Sequence, residues 1–300
     1  MPEATVWLEA GAKAILYGSL LLLIGASALR WLLVPRCALE LGPRFPLLFE
    51  SNARIALRAA IIALCACLFR AWTHTVAAFG FGDAGWDNVK LIALQSRWGH
   101  SWQLQLAAAA IVVIACAGTV RLPAAWPFET LAVLIFTATI PLLGHAAGDF
   151  LRMALHTVHI LAAGTWLGTL AVVLLVRMPY NEVASAAFTD SNQRLRQIIL
   201  RRFWTVAIPS AATAVAAGVM AAYLYVGAFS NLWTTAYGRV LLVKVALAGG
   251  IAICGYSNWR RLRRMHPQKM TGETLIVLET VLTFAVVLAT ALLTETGHPG

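Results

Sequence analysis

Five of the seven histidines in this 300-residue chain are expected to lie at one depth, near one face of a membrane. They are far apart in the sequence, at the ends of four different apolar segments: His74, His100, His145, His156 and His159. Imidazole is the commonest metal ligand, and ionisable residues inside a membrane are costly and usually functional. The grouping therefore indicates a bound metal ion or a haem.

The densest group of candidate ligands is the stretch GHAAGDFLRMALHTVH at 144–159. His156 and His159 are three residues apart and share one face of a helix, and Met153 lies three residues earlier on that face. A short turn brings His145, at the end of the preceding helix, to a similar depth. Imidazole suits copper or zinc and thioether selects Cu(I), so this set of side chains favours copper.

The main alternative is a b-type haem electron-transfer protein, an oxidoreductase, with two histidines as axial ligands. Arg70, Arg97 or Arg152 would then contact the haem propionates. Copper requires three ligands that converge on one ion, whereas haem requires two histidines separated by a macrocycle. A third hypothesis is a structural or assembly subunit without metal, because a lone histidine in a membrane is often a hydrogen-bonding residue.

The composition predicts a membrane protein: 60% of the residues are hydrophobic, 12% are charged, and the mean hydropathy is +0.76. A helix needs about 20 apolar residues to cross a bilayer, and lipid leaves no alternative partners for its backbone groups. We therefore predict an all-α integral membrane protein, an eight-helix transmembrane bundle in the lipid bilayer. The eight segments are Ala14–Val34, Ala53–Phe81, Ser101–Val120, Phe128–Ala147, Arg152–Met178, Phe203–Val226, Arg239–Tyr256 and Glu273–Thr294.

The Lys and Arg residues in the connections predict the orientation, because cytoplasmic loops are enriched in both. The richer side is taken as cytoplasmic, so both termini and the five histidines lie outside, and Glu295 with the tail is expected in solvent. The net charge of +10 reflects topology, and no nucleic-acid partner is expected. The richer side carries Arg36, Arg44, Arg121, Arg177, Arg194, Arg196, Arg201, Arg202, Arg260, Arg261, Arg263, Arg264 and Lys269, against Lys13, Lys90, Arg97, Arg152 and Arg239.

A weak internal repeat relates the third and seventh segments. LQSRWGHSWQLQLAAA at 94–109 aligns with TTAYGRVLLVKVALAG at 234–249, glycine on glycine. We therefore predict that the single membrane domain, 1–300, consists of two parallel four-helix halves, 1–147 and 148–300. The alignment pairs Ser96 with Thr235, Trp98 with Tyr237, Gly99 with Gly238, His100 with Arg239 and Gln105 with Lys244.

Other motifs exclude several classes of site. Cys65 and Cys67 have the spacing of a metal pair, but residues two apart on a helix point to nearly opposite sides. The five cysteines are scattered, mostly in apolar segments, which argues against a disulfide framework. No nucleotide-binding motif, catalytic triad or zinc-protease motif is present, so we do not expect an enzyme unless the haem hypothesis holds.

Three stretches carry a family resemblance. In GHAAGDFLRMALHTVHILAAGTWLGTL, His145 lies in a Gly-His-Ala element and His159 begins HILAAGTWLG. Arg202-Phe203 leads into the next helix, and TTAYGRVLLVKVALA is followed by Asn258 with basic residues and then by Glu279. Together these stretches resemble the copper resistance protein D (CopD) family of bacterial inner-membrane proteins. The resemblance covers roughly the second half of the chain.

The resemblance implies copper transport or copper tolerance in the bacterial inner membrane, alongside a periplasmic copper-binding partner. Import and export remain equally open. His145 and His159 match the family pattern, whereas His74 and His156 are additional, and Trp98-Gly99-His100 stands where the family often has Phe-Gly-Arg. Lys244 and Glu279 form a possible pair across the bundle, with a transport or structural role.

Overall fold

The computed structural model describes residues 2–41, 45–144, 146–176, 185–264 and 273–296. At 2–3, 38–39, 41, 45–47, 185–197, 258–259, 261–264 and 273–280 it describes the backbone alone. These ranges consist of helices and short connections, without a strand. The predicted ligand His145 lies outside the described residues.

The described ranges contain twelve α-helices. Four of these helices are joined in pairs into two longer helices. Short 3₁₀ turns at Pro123–Ala125 and Ile140–Leu143 flank α6, and π-helical segments at Leu29–Leu33 and Gly164–Gly168 join α1 to α2 and α7 to α8. The α-helices are α1 Pro2–Ala28, α2 Val34–Leu41, α3 Phe45–Phe79, α4 Trp86–Gln95, α5 Arg97–Arg121, α6 Trp126–Thr139, α7 Phe150–Ala163, α8 Thr169–Leu175, α9 Ser185–Val226, α10 Asn231–Thr234, α11 Ala236–Arg264 and α12 Glu273–Leu293.

Among the described residues, seven helical segments are long and apolar enough to cross a membrane. The eighth predicted segment coincides with α12, Glu273–Leu293, whose side chains are described from Val281 onward. The prediction of an all-helical, multi-pass membrane protein is confirmed, while the eight-helix count and the positions of the termini remain predictions. The seven segments are Ala4–Cys37, Leu48–Phe79, Arg97–Arg121, Pro123–Leu143, Phe150–Leu175, Ile198–Val226 and Ala236–Ser257.

The first helix is the centre of the bundle. It packs against α3, α6, α8, α12 and the π-helical segment Gly164–Gly168. At its crossing with that segment the two backbones touch: a Cβ atom at Gly25 would overlap the backbone of Gly168 and Thr169, and one at Gly168 would overlap the Leu21 carbonyl. Small residues permit such close approach between helices in lipid, where no hydrophobic force drives helix association.

The aligned glycines of the two predicted halves have the same local geometry. The Ser96 hydroxyl accepts a hydrogen bond from the Gly99 N–H at 2.8 Å, and the Thr235 hydroxyl accepts one from the Gly238 N–H at 3.0 Å. Both cap residues are extended, with φ/ψ of −92/157° and −99/155°. Each thus caps a long helix that follows a short one. The division into halves 1–147 and 148–300 remains a prediction, which this similarity supports.

The predicted orientation has a direct test. A reporter fused after Gly300 should show a periplasmic location, and one inserted after Arg264 should show a cytoplasmic location, because the basic connection is expected inside. Alkaline phosphatase and green fluorescent protein fusions would measure the two cases. A cytoplasmic signal at Gly300 would contradict the eight-helix count and move the histidines to different faces.

Candidate functional site

The turn before α7 fixes where the histidines of that helix begin. Gly148 has φ of +91°, a conformation that suits glycine and reverses the chain. The Asp149 carboxylate then accepts a hydrogen bond from the Arg152 N–H at 3.1 Å and caps α7. His156 and His159 therefore lie in the second and third turns of α7, on one face, as the sequence predicts.

His159 is held by the neighbouring helix α9. Its Nδ1 donates a hydrogen bond to the Ala214 carbonyl oxygen at 2.8 Å, since a carbonyl can only accept. Gly218, one turn further along α9, leaves room for the ring: a Cβ atom there would lie 3.1 Å from His159 Cε1. The proton on Nδ1 leaves the lone pair on Nε2, which is the form in which imidazole binds a metal.

The size of residue 218 provides a test of this positioning. Gly218→Val should push the imidazole away from Ala214 and weaken metal binding by about 10–100-fold, the range for loss of a hydrogen bond that orients a ligand. Gly249→Val is the matched control, because a Cβ atom there meets nothing within 4 Å. Metal titration of both purified variants measures the effect, and equal affinities would show that the contact with α9 does not position His159.

Lys244 of α11 lies near the same two histidines, His156 and His159. Its ammonium group interacts electrostatically with both His156 and His159. Lys244 lies in the third turn of α11, and α11 packs against α9 and α12. Three helices, α7, α9 and α11, thus meet around the two imidazoles. The side chain of Glu279, the predicted partner of Lys244, lies outside the described residues.

The other two predicted ligands of this group are Met153 and His145. Met153 is half-buried one turn before His156, and its carbonyl accepts a hydrogen bond from the Thr157 hydroxyl at 2.9 Å. His145 is outside the described residues, although the adjacent Ala146 is buried. Within the part of the chain that is described, no three His, Cys, Asp or Glu side chains form a metal-binding group. The three-histidine site therefore remains a prediction.

His74 belongs to a second group of helices, in which α3 packs against α1 and α5. Its Nδ1 lies 2.9 Å from a carboxylate oxygen of Glu9, and its ring stacks on Trp98 with 4.1 Å between ring centroids. Such a carboxylate orients the ring and favours Nε2 as the metal-binding atom. His100 is exposed in the first turn of α5, two residues after Trp98.

The expectation that Glu295 lies in solvent is wrong. Its side chain is 11% exposed and forms an ion pair with Lys13 of α1, and its carboxyl group also interacts with Glu9. Burial raises the pKa of Glu295. Glu9 and Lys13 are four residues apart on α1, so the sequence shows that they share one helix face. It does not show that their partners are His74 on α3 and Glu295 after α12.

Two of the three arginines considered for haem propionates, Arg70 and Arg152, have protein partners. Arg70 is buried and donates to the side-chain oxygen of Gln105 at 2.9 Å. Arg152 lies 3.3 Å from the Asp149 carboxylate and 5.1 Å from the centroid of the Tyr225 ring, while Arg97 is exposed. The contacts of Arg70 and Arg152 use amide, carboxylate and aromatic groups of the chain itself.

The cysteines behave as small packing residues. Cys67 is buried near Gln105, with 3.9 Å between its sulfur and the amide oxygen, whereas Cys65 is exposed on the other side of α3. Both are free thiols. The two therefore face different surroundings, as their spacing predicts.

Comparison with known families supports the multi-pass membrane architecture. A family model described as copper resistance protein D, CopD, matches residues 197–293, which include α11, α12 and most of α9. No curated protein and no solved structure matches the chain. The predicted resemblance is thus confirmed, and residues 197–293 carry the signature of the copper resistance protein D family of membrane proteins.

Proposed function

We propose that this protein transports copper, or confers copper tolerance, by binding the ion as cargo through His145, His156 and His159. The observation that carries the proposal is the hydrogen bond from His159 Nδ1 to Ala214, which leaves Nε2 available for a metal. Met153 would supply a thioether suited to Cu(I). His74 and His100 would act as auxiliary ligands on the way to this group.

The arrangement of the described histidines favours copper over haem. His156 and His159 are on one face of one helix, whereas the axial ligands of a haem must stand on opposite sides of a macrocycle. Two imidazoles on one face can instead converge on a single ion if a third ligand comes from the preceding segment, where His145 lies. The match to a copper resistance family supports the same choice.

Copper content and colour provide the direct experiment. Protein purified in detergent should bind copper stoichiometrically and show no Soret absorption band. Because neutral imidazole is the ligating form, protonation of the ligands at low pH should release the ion. A Soret band with two axial histidines would instead establish the haem alternative, and a protein without either group would leave only the structural role.

The environment implied by the proposal is the bacterial inner membrane, with the histidines facing the periplasm. A periplasmic copper-binding protein is the expected partner, since free copper is scarce and an exposed histidine such as His100 can exchange the ion. Transfer between thioether and imidazole ligands would require no covalent step. We therefore expect no catalytic activity in this protein.

We also propose that Lys244 and Glu279 interact across the bundle, from α11 to α12, which pack together. An ion pair in lipid becomes costly when one partner is lost, because the other charge remains without compensation. Glu279→Gln and Lys244→Met should each reduce folded yield or copper transport, and the double variant should lose less than the two single effects combined. Strict additivity in this double-mutant cycle would show that the residues do not interact.

A further inference from the structure

A second polar centre lies far from the histidines, where the first spanning helix meets α6. Arg30 Nη1 lies 2.8 Å from Glu129 Oε2, and both side chains are 1% exposed. Arg30 is about 30 Å along the helix from Glu9, the partner of His74, at 1.5 Å per residue. An ionisable pair buried inside a membrane protein is costly and usually has a function.

The ion pair leaves much of its hydrogen-bonding capacity unused. Among the described residues, Nε and Nη2 of Arg30 and Oε1 of Glu129 have no hydrogen-bond partner. Arg30 therefore retains three N–H donors and Glu129 one carboxylate oxygen, all excluded from bulk solvent. Such groups in a native protein normally have a partner, because an unpaired buried polar group loses its hydration without gaining a hydrogen bond, and the cost is larger for charged groups.

Two further unpaired acceptors lie nearby. They are the Ser27 hydroxyl, one turn before Arg30 on the same helix, and the side-chain oxygen of Asn52. Asn52 is 1% exposed and donates through its amide nitrogen to the Ala26 carbonyl at 3.0 Å, which places it beside Ser27. Phe49, three residues earlier on α3, lies 5.8 Å from the Arg30 guanidinium. The unpaired atoms thus gather within about one helical turn.

The backbone at this place is also irregular. Arg30 lies in the π-helical segment Leu29–Leu33, and single-turn π segments inside α-helices are frequent at functional sites. The Asn52 amide donates to the Ala26 carbonyl, three residues before that segment. Backbone irregularity inside a membrane is tolerated where water or protein groups satisfy the freed polar atoms.

We propose that Arg30, Glu129, Asn52 and Ser27 form a buried water-binding site between the first helix, α3 and α6. The atoms are complementary to water, which accepts from the Arg30 N–H groups and donates to Glu129 Oε1, Asn52 Oδ1 or Ser27 Oγ. Buried water typically makes about three such bonds. One or two molecules would satisfy the ion pair and hydrate the half of the bundle away from the histidines. This site is independent of the proposed copper function.

Cys116 provides a reporter of this water. It is fully buried on α5 and interacts electrostatically with both Arg30 and Glu129. Brief X-ray irradiation generates hydroxyl radicals from bound water, and mass spectrometry locates the side chains that they oxidise. Phe136 is the internal control, because it is fully buried in the apolar core on the same helix as Glu129. Oxidation rates are normalised to those of the free peptides.

In the unaltered protein we expect Cys116 to be oxidised several-fold faster than Phe136. The variant Arg30→Met with Glu129→Leu replaces the pair with apolar side chains, an exchange that is often tolerated, and should lower the Cys116 rate to that of Phe136. Equal rates in the unaltered protein would overturn the proposal, whether or not the variant folds. A folded variant with undiminished Cys116 oxidation would also overturn it, since the pair would then not hold the water.

Discussion

His145→Ala or His159→Ala should abolish stoichiometric copper binding, because removing one ligand from a three-ligand site costs most of its affinity. His156→Ala should have a comparable effect if all three imidazoles bind the ion. His74→Ala and His100→Ala should have intermediate effects, since these residues belong to a separate group of helices. Copper analysis and isothermal titration of detergent-purified protein would measure each affinity.

The cysteines of α3 provide the matched control for these variants. Cys65→Ala and Cys67→Ala should leave copper binding unchanged, because one thiol is exposed and the other is buried against Gln105. Size-exclusion chromatography must show that every variant is folded. If a folded His145→Ala, His159→Ala double variant still binds copper stoichiometrically, the site lies elsewhere and the proposed function loses its structural basis.

The second large effect is expected at the crossing of the first helix with the π-helical segment of α7–α8. Gly25→Val should destabilise the protein by about 3 kcal/mol or more, at or above the upper end of the usual range for overpacking. A side chain at this position meets the backbone of Gly168 and Thr169, and backbone atoms cannot move aside without separating the helices. The loss would appear as a lower melting temperature or loss of folded protein.

Gly18 on the same helix is the matched control. A Cβ atom there meets nothing within 4 Å, so Gly18→Val keeps the added volume without the overlap. We expect Gly18→Val to change stability by less than about 1 kcal/mol, as for surface substitutions in general. Equal destabilisation at positions 18 and 25 would indicate an effect of helix propensity, and it would contradict a close backbone contact at the crossing.

Much of the local structure follows from the sequence alone. Apolar runs long enough to cross a bilayer must be helical, since lipid offers the backbone no other partners. The spacing of His156 and His159 places them on one face of α7, and the Asp149 cap fixes the start of that helix. Ser96 and Thr235, aligned through their glycines, each cap a long helix by the same hydrogen bond.

The contacts between helices were decided by the tertiary structure. His159 with Ala214, Glu9 with His74, Lys13 with Glu295 and Arg30 with Glu129 all join residues distant in the chain. The spacing of residues shows which side chains share a helix face. A helix that is apolar on all sides has no distinct apolar stripe, so its sequence does not show which face packs against which other helix. The sequence therefore predicts Glu295 in solvent, and it does not indicate the Arg30–Glu129 pair.

The same distinction between local structure and contacts between helices applies to the candidate site. The sequence alone determined that the chain is a multi-pass helical membrane protein with a family signature in its second half, and that two of its histidines share a helix face. Only the tertiary structure decided that α9 fixes the tautomer of His159 and that Lys244 lies near both imidazoles. These contacts depend on the packing angle and separation of α7, α9 and α11, which small residues such as Gly218 permit.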